Sequence, residues 1–93
     1  MQLPASLTLT EAAAVHRDLQ AAIQQSASGV PFEVDAAGLH DFDTSGLAVL
    51  LAAHRATRSR GQAFAICQAP AKLNQLAALY GVSELLGLQA GGM

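Results

Sequence analysis

Phe42-Asp43-Thr44-Ser45-Gly46-Leu47, followed at once by the apolar run Ala48-Val49-Leu50-Leu51, is the stretch on which the reading of this chain turns. Asp, Thr and Ser cap helix N-termini, because their side-chain oxygens accept from backbone N–H groups that the first turn leaves without partners. Here three such residues stand in a row ahead of a segment with helical periodicity. One suffices to cap. The other two are surplus to the fold, and that surplus is the strongest functional signal in the sequence.

Working outward, the helix runs from about Ser45 to Arg60, with Leu47, Leu50, Leu51 and His54 at the spacing of one helical face. Arg55, Arg58 and Arg60 gather at its C-terminal end, where cations suit the helix dipole. They read as a solvated helix end, with contact to an acidic partner or phosphate as the alternative. Gly61 stops the helix. On the N-terminal side, Val30 to Asp35 is the clearest strand, with Val30, Phe32 and Val34 on one face. The loop 36–41 connects it to the opening stretch, with Leu39 packed inward.

Further out, Leu3 to Leu9 alternates loosely, as a short strand that Pro4 confines to a sheet edge or a strand start. Thr8-Leu9-Thr10-Glu11 is a capping box. The helix it opens extends to about Gln25, with Ala12, Val15, Leu19, Ala22 and Ile23 as its apolar stripe and Gly29 as its C-cap. After Gly61, the apolar segment Gln62 to Cys67 reads as a strand buried on both faces. Pro70 opens a third helix at its first turn, with Leu73, Leu76, Ala77 and Tyr80 as its stripe and Gly81 at its end. Residues 82–88 make a last helical turn or short strand, and 89–93 a flexible tail. The order is β-α-β-α-β-α. This predicts an α/β fold in which a small mixed, partly parallel sheet packs against helices, as one domain over residues 1–93.

Composition narrows the function classes. Apolar residues make up 52% of the 93 and charged residues 13%, enough for a core and too apolar for a disordered chain. The net charge of −2, with no basic run, argues against nucleic-acid binding. A single cysteine, Cys67, excludes an internal disulfide and a cysteine-built metal cluster. It is expected to be a buried small hydrophobe. The N-terminus has no signal-peptide pattern and no apolar run is long enough to cross a membrane, so the chain is expected to be cytoplasmic. His16, His40 and His54 are too scattered for a metal site, and no phosphate-binding glycine loop occurs. No catalytic constellation converges, so no catalytic residue, metal or cofactor is assigned; a small enzyme built on Asp43 and a histidine is the least favoured reading.

Three features together resemble the STAS domain, the fold of bacterial anti-sigma-factor antagonists and of sulfate-transporter tails. They are the strand ending in Val34-Asp35, the loop leading to Asp43-Thr44-Ser45-Gly46-Leu47, and the helix followed by Gly61 and a further strand. The pattern Thr44, Gly46, Leu47, Ala48, Leu50, Leu51 is most similar to the branch that serves as a subunit of the phospholipid-transporting Mla ABC system. That resemblance implies docking on the transporter's ATPase through Thr44, at the cytoplasmic face of the inner membrane and without entering it. Asp43, Thr44, Ser45, Gly46 and Leu47 form the expected docking turn. The anti-sigma antagonists are next closest. They imply an anti-sigma factor and a serine kinase as partners, with Ser45, or else Thr44, as phosphate acceptor. STAS domains usually begin with one strand more than this chain provides. The resemblance therefore implies an uncovered sheet edge on which a second copy could pair.

Overall fold

The computed structural model describes residues 1–27, 29–82 and 86. Along them run β1 (Ser6–Leu7), α1 (Leu9–Gln25), β2 (Phe32–Asp35), β3 (Asp41–Phe42), α2 (Thr44–Ser59), β4 (Phe64–Cys67) and α3 (Ala71–Leu79). The α/β class and the parallel pairing agree with the sequence reading. β3 is additional, and at two residues it is too short for any periodicity to reveal.

Pro4, which has a fixed φ and no N–H to give a ladder, divides the N-terminal segment between two neighbours. Before it, Leu3 N donates to Asp35 O at 2.9 Å and Asp35 N donates to Met1 O at 2.7 Å. After it, Ser6 and Leu7 pair in parallel with Asp41 and Phe42. On the far side of β2, Phe32 to Asp35 pair in parallel with Phe64 to Cys67. The N-terminal segment thus joins the β1–β3 and β2–β4 ladders.

The strands bury one face. Leu7, Phe32, Val34, Phe42, Phe64 and Ile66 lie in the core, and the Phe32 and Phe64 rings stack with centroids 6.4 Å apart. Ala65 and Cys67 on the other face are half-buried and Glu33 is exposed. β4 is therefore not buried on both sides as its composition suggests, and Cys67 is a half-exposed thiol rather than a core residue. Val30, read as the start of a strand, stands outside β2 with 55% of its surface exposed.

α1 follows its capping box. Thr8 N and Thr8 Oγ1 donate to Glu11 Oε1 at 2.9 and 2.7 Å, and Val15, Leu19 and Ile23 are buried. Its C-cap is Ser26 rather than Gly29. There Ser26 Oγ donates to Ile23 O at 2.6 Å and Arg60 Nη2 donates to Ser26 O at 2.9 Å. A cation from the far end of α2 thus takes over the terminal carbonyls. Arg60 is thereby separated from Arg55 and Arg58, which stay exposed.

α2 begins at Thr44 and buries Gly46, Leu47, Val49, Leu50, Ala53 and Thr57. The expected stripe is rotated, because Leu51 and His54 are only half-buried while Val49, Ala53 and Thr57 are buried. Gly61, at φ +67°, takes the left-handed conformation that ends the helix. In α3, Pro70 is the N-cap rather than a first-turn residue, and Leu73 and Ala77 are fully buried. Tyr80 does not continue the stripe. It is the C-cap, its backbone has left the helix, and its side chain is 55% exposed. Apart from Val82 and the buried Leu86, the expectations for 82–88 and for the tail lie outside the described residues.

Candidate functional site

The pairing of β1 with β3 delivers Asp43 to the place where two helices start. Ala5 O accepts from His40 N at 2.8 Å and from Asp41 N at 3.0 Å, which fixes the end of the loop, and Leu7 pairs with Phe42. The next residue, Asp43, is the N-cap of α2: its Oδ1 accepts from Ser45 N at 2.9 Å. Its other oxygen, Oδ2, accepts from Leu9 N at 3.3 Å, in the first turn of α1. One carboxylate therefore serves the N-termini of two helices, where partial positive charge and free N–H groups converge. The second of these bonds joins residues 34 apart in sequence, which no local pattern discloses.

The same corner holds Glu11. Its carboxyl is held below the ordinary glutamate value, chiefly by the hydroxyl of Thr8 and then by the Thr8 backbone N–H, while the nearby charge of Asp43 acts the other way. A depressed pKa adds stability above the unfolded-state value and loses it as pH falls through the folded-state value. Acidification through about pH 5 to 3 is therefore expected to destabilise the wild type more than Glu11→Gln, which has no proton to gain. Thermal melts across that window check this; equal slopes for the two proteins would contradict it.

The five residues of the expected docking turn separate. Thr44 is exposed and Ser45 is half-buried. Gly46 and Leu47 belong to the chain's own core. Leu47 is 4% exposed, and a Cβ on Gly46 would stand 2.5 Å from Leu7 O and 3.2 Å from Leu7 Cγ. The close approach that Gly46 permits is thus of α2 to β1, and neither residue is presented at the surface.

The two hydroxyls also face different surroundings. Thr44, with Asp43, borders an apolar groove of about 400 Å³ between the start of α2 and the length of α3, lined also by Phe42, Lys72, Gln75, Leu76 and Leu79. Ser45 lies in a shallower groove of about 360 Å³ between α1 and α2, with Leu9, Ala12, His16, Ala48, Val49 and Ala52. Lys72, Gln75 and Leu79 are the residues that sequence reasoning missed. Their spacing along α3 is helical, but the more apolar stripe through Leu73 and Ala77 masks it.

The remaining candidates stay apart. His16 and His40 are exposed at separate places, and His54 stands edge-on to the Phe64 ring at 6.1 Å. Among the described residues no three of His, Cys, Asp and Glu are grouped to hold a metal ion, and no helix is long and apolar enough to cross a membrane.

A family model described as "Mlab, STAS domain" matches residues 1–87. No curated protein matches the sequence.

Proposed function

The chain belongs to the STAS domain family, in its MlaB-type branch, and from that premise we propose that it is a non-enzymatic cytoplasmic subunit that docks on the ATPase of a phospholipid-transporting ABC complex. It would regulate or stabilise that ATPase and sit at the inner membrane only through the complex. The observation that carries this reading is Thr44. It is exposed at the first residue of α2, while its neighbour Asp43 does the capping. The cap is thus made without the Thr44 hydroxyl, and an apolar groove opens beside it. An exposed apolar groove with a few polar groups at its rim is the form of surface that a protein partner covers.

Co-purification of the tagged chain with the transporter's ATPase subunit tests the proposal. A stoichiometric complex is expected; an ATPase that elutes without the chain contradicts it.

A second reading rests on Ser45. This hydroxyl directly precedes Gly46, is half-exposed, and lies in the other groove. A phosphate there would add close to two negative charges next to Asp43, at a helix start that its own fold tolerates. The chain would then be a phosphorylation-controlled anti-sigma-factor antagonist. Incubation with a cognate serine kinase is expected in that case to add one phosphate at Ser45. An unchanged mass would leave docking as the sole reading.

A further inference from the structure

The groove beside Thr44 has a chemical polarity that specifies its occupant more closely than docking alone. Its floor is apolar, formed by Phe42 and Leu76, and Leu79 stands at its edge with 78% of its surface exposed. Its one cation is Lys72, the only lysine in the chain. The Lys72 ammonium lies over the Phe42 ring, 5.7 Å from the centroid.

Two facts make that lysine conspicuous. It occupies the first turn of α3, where the helix dipole disfavours positive charge, so its own helix gains nothing from it. The groove's other charge, Asp43, is committed, its two oxygens accepting from Ser45 N and Leu9 N. The groove therefore offers an apolar floor and one positive charge, with its single carboxylate already turned to the backbone.

We propose that the groove between α2 and α3 receives a segment of the partner protein in which an apolar side chain is flanked by a carboxylate, the apolar group resting on Phe42, Leu76 and Leu79 and the carboxylate meeting Lys72. This rests on the reading that the chain docks on an ATPase subunit, and it names the chemistry of that contact. An anionic lipid surface fits less well. Asp41 and Asp43 stand at the same corner, and a bilayer of negative charge is attracted by clusters of cations rather than by one.

The test measures binding of the purified ATPase subunit to the wild type and to Lys72→Glu, Lys72→Met and Leu79→Ser. Thermal melts run alongside; they are expected to hold or rise slightly for the Lys72 variants, which remove a cation from a helix start, and to hold for Leu79→Ser, whose side chain is at the surface. Lys72→Glu is expected to weaken binding by about tenfold or more, and Lys72→Met by a few-fold. Leu79→Ser weakens it without altering salt dependence. Raising the salt concentration weakens the wild-type complex and leaves the Lys72→Met complex nearly unaffected. An Asp or Glu to Lys exchange on the ATPase restores binding to Lys72→Glu. If the wild type binds and Lys72→Glu binds equally well, the carboxylate contact is overturned while the docking function stands. If the wild type does not bind the ATPase, or binds anionic vesicles in its place, both are overturned.

Discussion

Gly46→Ala is expected to destabilise the fold by about 2 kcal/mol, although alanine is the better helix former. Inside a helix, alanine is favoured over glycine by about 1 kcal/mol, so propensity alone predicts a gain. The opposing effect is steric. The added Cβ would stand 2.5 Å from Leu7 O, a backbone atom of β1, and no side-chain rotation can relieve it. Overpacking of this kind costs about 3 kcal/mol at its harsher end, which leaves the net loss of about 2. For a chain of this size that is a fall in melting temperature of about 8–16 °C. A thermal melt checks it, and an unchanged or higher midpoint would mean that α2 does not lie against β1 as described.

Thr44→Glu is expected to have the opposite profile, with the fold intact and the docking lost. Thr44 is exposed at the first residue of α2. A carboxylate in a first helical turn is favourable by about 0.3–1 kcal/mol, so the melting temperature should hold or rise slightly. At an interface the same carboxylate would be stripped of water without a partner on the other side, which costs about 2 kcal/mol or more. That corresponds to a fall in affinity of about thirtyfold or greater. Next to it, the charge would also compete for Lys72 in the groove. The contrast between the two variants separates residues that hold the turn from residues that the turn displays.

Local chemistry wrote much of this into the sequence. The capping box of Thr8 and Glu11, the cap at Asp43, the stop at Gly61 and the stripe Val15, Leu19, Ile23 all depend on neighbours a turn or two away. They were accordingly legible from spacing. What was not legible came from contacts across the chain. The end of α1 near Gln25 was legible, but the bond that Arg60, 34 residues on, donates to the Ser26 carbonyl there was not. The rotation of the buried stripe of α2 follows from the approach of Gly46 to Leu7. The half-exposure of Cys67 depends on which side of the sheet the helices cover. At the site, the turn itself was found from an excess of capping residues. The assignment of Gly46 and Leu47 to the core needed the third dimension. So did the facing of Thr44 and Ser45 into separate grooves, since adjacent positions on a helix point about 100° apart.

The central claim is that Thr44 is displayed for a partner while Asp43, Gly46 and Leu47 hold the fold. Its most direct test is a calorimetric titration of the transporter's ATPase subunit with the wild type and with Thr44→Glu, each shown by its melt to be folded. The account predicts saturable binding by the wild type and a loss of about thirtyfold or more for the variant, at an unchanged melting temperature. Equal affinities for the two proteins would contradict it.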